Sequence, residues 1–533
     1  MPSAQEPTEV FDYIVVGAGS SGSAVAARLS ANGEASVLLL EAGPRDRKPA
    51  VHIPAAFSQL FRSDRDWNYD TIPQPELGDR RIYWPRGKML GGSSSLNAMM
   101  WVRGFAADYD KWAEAAGPTW SWSSLLPYFR QVERVAGTHR SDEGSTGAIS
   151  ISVQRQPRSH TAAFLQAVTQ LGMSVERANS AEPGGFAQTM VSQRRGARFS
   201  ASDAYLKPAR TRANLTVRVD AQAGRVLFDG KDAVGIEYFV GRERRRVTAR
   251  REVVLCGGAV NTPQLLMLSG IGDGAALSEL GIKMVKNSPE VGKNLVDHLI
   301  AGLVVEANGD TLYSAQRPAE LARYLLRRKG MLTSNVAEAY GFVRTRSELP
   351  LPDIEILFAP VAYLGQGLEP PPAHGLTIGA ILLQPESSGR ITLAVGDPMA
   401  PPSIDPRYLS DPAGRDRATL LAGLAVCELI LQAPALRAVH TGHFLAPADS
   451  DAKSGPARDL LSVNDYSHTL YHPVGTARMG SDSGSVVDPE LRVRGVSKLR
   501  VADASVMPNI IRGHTNAPAI VIGEKAADLI MAS

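Results

Sequence analysis

Ten histidines occur in the chain, and two of them stand where neighbouring residues fix a loop. His472 lies in Tyr-His-Pro-Val-Gly-Thr, where Pro473 and Gly475 prescribe the backbone. His514 lies in Gly-His-Thr-Asn-Ala-Pro, before an apolar run from Ala517 to Ile530 that reads as the last helix. Pro518 falls in its first turn, with Thr515 or Asn516 as the expected cap. A neutral imidazole with a pKa near the working pH suits removal of a hydroxyl proton, a task typically worth about 10²–10⁴-fold in rate. A second chemical feature stands at the other end of the chain. Gly17-Ala-Gly19-Ser20-Ser21-Gly22 follows the β-branched run Tyr13 to Val16 and opens a helix from Ser23 to Leu29; a second strand, Ser36 to Leu40, ends in Glu41. Strand, glycine turn, helix, strand and acid together form a dinucleotide fingerprint. Gly17 permits the turn, Gly19 lets the backbone approach a diphosphate, and Gly22 lets helix meet strand. Free N–H groups at the helix start face the phosphates, and Glu41 accepts from a ribose hydroxyl. The fingerprint alone serves FAD and NAD equally.

Further motifs decide between them. Arg86-Gly-Lys-Met-Leu-Gly91-Gly92-Ser93-Ser-Ser-Leu96-Asn97 is a loop whose backbone N–H groups can approach a ligand closely. Gly258-Ala-Val-Asn-Thr262-Pro263 follows the strand Glu252 to Cys256, and Thr262-Pro263 is expected to start a helix. Three segments follow: Val291-Gly292-Lys-Asn294-Leu-Val-Asp297-His298, His472-Pro-Val-Gly-Thr476 and Val501-Ala-Asp503-Ala504-Ser-Val-Met-Pro508. Together with the N-terminal fingerprint, these closely resemble the signatures of the glucose–methanol–choline (GMC) oxidoreductases, a family of FAD enzymes. The resemblance covers nearly the whole chain, and the subgroup is similar to bacterial choline dehydrogenases, alcohol dehydrogenases and hydroxymethylfurfural oxidases.

The resemblance implies hydride transfer from an alcohol carbon to flavin N5, with His472 as base and His514 hydrogen-bonding the substrate oxygen. It places Gly17, Gly19, Ser20, Ser21, Gly22, Glu41, Arg86, Gly91, Gly92, Ser93, Asn97, Ala223, Asp503, Ala504, Asn516 and Ala517 on FAD, and it calls for no metal. The N-terminus of the last helix points at the flavin ring. Some members attach FAD through a histidine just before the asparagine of the loop; here that residue is Leu96, so a noncovalent flavin is expected. His298 is expected to support the flavin domain rather than to catalyse.

The implied fold is α/β (α+β overall). A Rossmann-like FAD-binding domain is formed by residues 8–155, 213–299 and 480–533. A discontinuous substrate-binding domain, 156–212 and 300–479, carries an antiparallel sheet covered by helices. At 533 residues, two domains are the natural expectation. Strands are read at Leu215 to Val219 and Val234 to Val240, joined through Phe228-Asp-Gly230, with a solvated hairpin at Arg242 to Arg246. In the second domain Ile354 to Ala359, Leu376 to Leu383 and Gly389 to Leu393 are expected to form the sheet. Pro318 to Arg328 and Arg415 to Gln432 are its expected helical cover. The aromatic segment Pro54 to Trp84, with Phe57, Phe61, Trp67, Tyr69 and Trp84, reads as a lid, a channel wall or plain packing. Phe358 or Ile381 is the guess for a pocket position.

The charge balance, 57 basic against 54 acidic residues, gives no reason to expect nucleic acid or an anionic membrane as a partner. Two cysteines, each in an apolar stretch, exclude a disulfide framework and fit a reducing cytosol. The start, MPSAQEPTEV, shows no leader pattern, and Leu420 to Leu431, broken by Glu428, is too short to span a bilayer. A cytoplasmic monomer or homodimer without a transmembrane segment is expected, taking a small alcohol and passing electrons to O2 or a quinone-type or artificial acceptor. A mainly apolar pocket for primary aliphatic or aryl alcohols is favoured. A choline-specific dehydrogenase, a lyase of the hydroxynitrile type on the same scaffold, and a flavin protein without catalysis are the other readings.

Overall fold

The β-branched run before the glycine turn extends upstream into a full strand, Glu9–Val16, whose last four residues are buried. The structure, a computed structural model, describes residues 9–137, 140–180, 182–452 and 455–533. Residues 1–8, on which the reading of the N-terminus largely rests, lie outside the described residues. Glu9–Val16 is central in a seven-stranded sheet with the order Leu215–Arg218, Val37–Leu40, Glu9–Val16, Glu243–Leu255, Asp232–Val240, Ala221–Asp229; Leu499–Val501 also pairs with Glu243–Leu255. Pairing is parallel except where Asp232–Val240 joins its two neighbours. The length of Glu243–Leu255 permits this mixture. Its first part pairs antiparallel with Asp232–Val240, while Val253 to Leu255 pair parallel with Leu499 to Val501. Helix Ser20–Leu29 begins nearer the glycine turn than the sequence suggests and packs against the last helix, Asn516–Met531.

Two expectations in this half need correction. Asp229-Gly230 turns between Ala221–Asp229 and Asp232–Val240, so Leu215–Arg218 is a separate strand at the far edge of the sheet. The helix expected from Thr262-Pro263 starts earlier, as Gly258–Leu268, with Pro263 inside it. Pro263 has no N–H to offer the carbonyl four residues back, that of Ala259. Thr476 supplies the missing donor, its Oγ1 lying 2.7 Å from the Ala259 oxygen. A residue of the His472 loop thereby repairs a helix of the nucleotide fold.

The second sheet, also seven-stranded, is antiparallel throughout. Its order is His440–Ala446, Leu299–Ala307, Gly375–Leu382, Ile354–Ala359, Ala339–Val343, Phe186–Gln188, with His468–Thr469 also on Leu299–Ala307. Side chains alternate between its faces. Ile300, Gly302 and Val304 look into a cavity, as do Leu357 and Ala359. The residues between them face the other side, where helices Arg415–Gln432 and Ser159–Gln170 pack. Phe358 belongs to that helical side, stacked on Phe164 at 4.5 Å, so it is not a pocket residue. Ile381 lies on the cavity-side face beside its cross-strand partners Ile300 and Glu355, but it is fully buried and does not line the cavity. Arg390–Thr392 does not join this sheet; it pairs with Ser403–Asp405 in a two-stranded one. Nor does Pro318–Arg327 cover the sheet, a place taken by Ser159–Gln170.

Thr476 is fully buried, so Thr476→Val leaves the Ala259 carbonyl without a partner. It should lower unfolding stability by about 1–3 kcal/mol, read as a fall in the urea midpoint of the flavin-loaded protein.

Candidate functional site

A cavity of about 670 Å³ runs between the two sheets, lined at one end by Gly17, Gly19 and Glu41 and at the other by His472 and His514. At the first end the backbone leaves no room for side chains. Gly17 has φ +99°, and a Cβ there would stand 2.4 Å from the Cys256 carbonyl oxygen. At Gly22 a Cβ would stand 1.9 Å from the Gly17 carbonyl oxygen, so this glycine seats helix on strand. Gly19 is different, since a Cβ there would meet nothing within 4 Å. Gly92, at φ +51°, packs against Gly19, where a Cβ would approach its Cα to 2.7 Å. Two glycine backbones therefore form one cradle, open on the side where a diphosphate would lie. Helix Ser20–Leu29 has no side-chain cap, which leaves its first N–H groups for such a ligand. Glu41 accepts from the amides of Ala18 and Gly43, both at 2.9 Å. Burial outweighs those bonds and pushes its carboxyl up to about 7. Ribose hydroxyls donating to it would favour the carboxylate. These features fit FAD.

The loop beside the cradle is tied down from behind. Asn97 Oδ1 accepts from Met99 N at 3.0 Å and from Arg198 Nη1 at 2.8 Å; Arg198 also donates to the carbonyls of Val51 and Ser94. Burial lowers the Arg198 guanidinium to about 9. Ser93 accepts from Gly87 N, and Leu96, buried, lines the cavity in front of Asn97. Arg86 donates to the Tyr471 carbonyl at 2.7 Å, linking this loop to the residue before His472. Asp503 lines the wall, but its oxygens accept from Gly258 N, Thr262 Oγ1, Ser505 N and Ser505 Oγ, so it builds the turn.

At the other end the rings of His472 and His514 lie 4.7 Å apart between centroids, edge to face. His472 is buried, and its amide donates to Asp297 Oδ1 at 2.7 Å. Burial, then the neighbouring His514, His298 and Arg86, hold its imidazole well below the usual histidine range. His298 Nδ1 lies 3.0 Å from His472 Nδ1, and its Nε2 lies 3.2 Å from the Leu383 carbonyl oxygen. Burial lowers His298 to about 3, so the ring is neutral. A carbonyl only accepts, so His298 Nε2 carries the proton and His298 Nδ1 is bare. His472 Nδ1 must then donate, which leaves His472 Nε2 unprotonated. His514 Nε2 donates to Glu355 Oε1 at 2.9 Å. Glu355 is fully buried on the cavity-side parity of Ile354–Ala359, and among the described residues its Oε2 has no hydrogen-bond partner.

The loop carrying His514 is held by Arg512, whose amide and guanidinium both donate to buried Asp108. The last helix was expected to be capped by Thr515 or Asn516, yet neither side chain caps it; Asn516 Oδ1 instead accepts from Ser20 Oγ at 2.7 Å. Thr515 and Asn516 line the cavity, so the helix's first amides and their partial positive charge are left for what it holds.

Of the residues that the sequence assigns to cofactor or catalysis, all line the cavity except Gly22, Gly91 and Ala517, which sit behind its wall. Ser20, Ser21, Ala223, Ala504 and Asn516 line it on the cradle side. Phe57, Phe61, Trp67 and Tyr83 of the aromatic segment line it too, whereas Tyr69 and Trp84 are packed, bonded to Asn261 and Tyr408. The positions of Glu355 and Arg198 and the contact of His298 with His472 were not anticipated from the sequence. The signal for Glu355 was a lone carboxylate in an apolar strand, Ile-Glu-Ile-Leu-Phe-Ala, where a buried charge needs a partner.

Comparison with known proteins agrees with this arrangement. The GMC oxidoreductase family models match residues 11–300 and 385–523. An uncharacterized GMC-type oxidoreductase of Mycobacterium tuberculosis is 57% identical over 523 residues, 97% of this chain and 99% of its own. The alcohol dehydrogenase [acceptor] of Pseudomonas putida is 41% identical, covering 98% and 96%. Aspergillus oryzae RIB40 formate oxidase, solved for the effect of a substitution on its FAD modification, superposes with a TM-score of 0.91 at 29% identity and covers 99% of each chain. The chain therefore belongs to the GMC oxidoreductases and is an FAD-dependent oxidoreductase acting on CH–OH groups.

Proposed function

We propose that the protein oxidises a primary aliphatic or aryl alcohol to the aldehyde, with His472 Nε2 as the base and the flavin bound without a covalent link. The observation that carries this reading is the chain of contacts from the Leu383 carbonyl through His298 to His472 Nδ1, which leaves His472 Nε2 to accept a proton beside His514 in the cavity. Bound FAD supplies the two-electron acceptor for the hydride that leaves the alcohol carbon. His472 takes the hydroxyl proton, since an alkoxide expels hydride far more readily than an alcohol does. His514, oriented by Glu355, hydrogen-bonds the substrate oxygen. The uncapped amides of the last helix favour negative charge in that part of the cavity. Leu96 has no nucleophilic atom with which to bond a flavin.

The walls near the histidines support an uncharged substrate. Phe57, Phe61, Ile300, Val304, Leu357 and Leu470 line the cavity. Among the described lining residues besides Glu41, the carboxylates are Asp70, paired to Arg62, Asp503, whose oxygens serve its own turn, and the exposed Glu369 and Asp465. Glu355, beside His514, is not a lining residue, and its Oε1 is taken by that ring. A quaternary ammonium group would want a carboxylate or an open aromatic cage close to the base. Both cysteines are buried and free, which supports a reducing compartment, and O2 or a quinone-type acceptor would reoxidise the flavin.

The deciding experiment is an anaerobic panel of alcohols followed by air. Bleaching of the oxidised flavin band by a primary alcohol supports the reading, and recovery in air marks an oxidase. No bleaching by any alcohol, with cyanohydrin cleavage instead, would establish lyase chemistry.

His472→Ala should keep its flavin and lose about 10²–10⁴-fold in kcat; full activity overturns the assignment of the base. The lowered His472 pKa keeps the ring neutral, so the acid limb of kcat/KM should lie below 6.5. His298→Ala removes both the tautomer restraint and a neighbour that disfavours the charged form. Its acid limb should therefore move up towards 6.5, with kcat reduced about tenfold and KM little changed. His298→Gln retains one donor and one acceptor and should restore much of the rate. Gly92→Ala drives a methyl into the Gly19 backbone and should cut the flavin-to-protein ratio on the order of tenfold. Acid denaturation of the wild type should release all of its flavin into the supernatant.

A further inference from the structure

A helix on a protein surface normally turns its apolar stripe inward. Pro318–Arg327 does the reverse. Pro318, Ala319, Leu321, Ala322, Leu325 and Leu326 fall within one arc of about 160° at 3.6 residues per turn, and all six are exposed. The leucines stand out most, at 45%, 62% and 83% exposure for Leu321, Leu325 and Leu326. What holds the helix to the protein is largely polar. Buried Tyr324 donates to the His52 carbonyl at 3.1 Å and accepts from Arg328, while Glu320 accepts from Met331 N at 2.8 Å and pairs with Arg323. The outward leucines therefore add nothing to the fold, and in water each costs free energy.

The charges beside this face are nearly all of one sign. Arg317, Arg323, Arg327, Arg328 and Lys329 are exposed, against the single acid Glu320. A twofold contact with a second copy of this chain would set those cations against their own counterparts. An anionic lipid surface satisfies both properties, taking the leucines at the acyl boundary and the cations at the headgroups. Ten residues rise about 15 Å, half of a bilayer core, so the helix lies in the interface. Consistently, no helix among the described residues is long and apolar enough to cross a membrane.

We propose that Pro318–Arg327 docks the protein on membranes rich in anionic phospholipid. The docking is independent of the alcohol chemistry. It brings the cavity close to a surface, because Tyr324 braces His52, just before the segment that carries Phe57 of the cavity wall.

The test is flotation of the flavin-loaded, full-length protein with phosphatidylcholine vesicles, with and without phosphatidylglycerol. The protein should float with the phosphatidylglycerol vesicles, less so at high salt. Leu325→Gln/Leu326→Gln should reduce partitioning on the order of tenfold or more. Arg323→Gln/Arg327→Gln should reduce it only where phosphatidylglycerol is present. Both variants should retain wild-type flavin content and oxidation of a water-soluble alcohol. Flotation that ignores the leucine substitutions, or no flotation at all, overturns the proposal. So does a concentration-dependent dimer, seen by sedimentation velocity, that Leu325→Gln/Leu326→Gln disperses.

Discussion

Asp297 is buried, and the groups around it fix the loop that carries His472. Its two oxygens accept from the hydroxyls of Tyr408 and Thr469 and from the amide of His472, with the Arg86 guanidinium nearby. A carboxylate removed from water must be compensated in this way or give up its charge. Here the compensation is also a construction: the donors come from two segments, that of Tyr408 and the stretch Thr469 to His472, and Asp297 ties them together. The next residue, His298, carries the same order one step further by fixing which nitrogen of His472 holds the proton. One dipeptide thus sets both the position and the tautomer of His472. Removing water from the site is what gives these bonds their strength, and it is also what lowers the basicity of His472.

Much of this was legible in the sequence because motifs concentrate where the backbone itself approaches a ligand. The turn at Gly17 to Gly22 and the loop at Gly91 to Asn97 could be read from their glycines, since a Cβ at Gly17, Gly22 or Gly92 would strike neighbouring backbone. His472 and His514 could be singled out because proline and glycine beside them prescribe loops. Less could be read where the meaning of a residue depends on which strand face it occupies. Phe358 and Glu355 stand in one strand at opposite parity, and only the register of that strand with its neighbours shows which one turns towards His514. His298 was legible as a motif residue but not as a neighbour of His472, because its partner is 174 positions away. The start of Gly258–Leu268 was missed for a related reason: Pro263 marks a helix start unless some distant group replaces its missing N–H, and Thr476 does so.

The repair of that helix and the tautomer of His472 share a principle. In both, a polar group that the local chain cannot satisfy is answered by a residue distant in sequence, and the answer couples the nucleotide fold to the His472 loop. The uncapped last helix is the counterpart. A Ser, Thr, Asp or Asn side chain at its start would ordinarily accept from its free amides, worth about 0.5–2 kcal/mol. Thr515 and Asn516 are of the right type, yet Asn516 turns to Ser20 instead. Leaving those amides open at a cavity wall forgoes that stabilisation until something negative lies against them. Glu41 is their counterpart in the nucleotide fold: burial raises its carboxyl, and donors that reach it would favour the carboxylate. On the proposed reading, cofactor binding and folding are linked through the Glu41 oxygens and the helix amides as well as through the apolar surface that the cofactor covers.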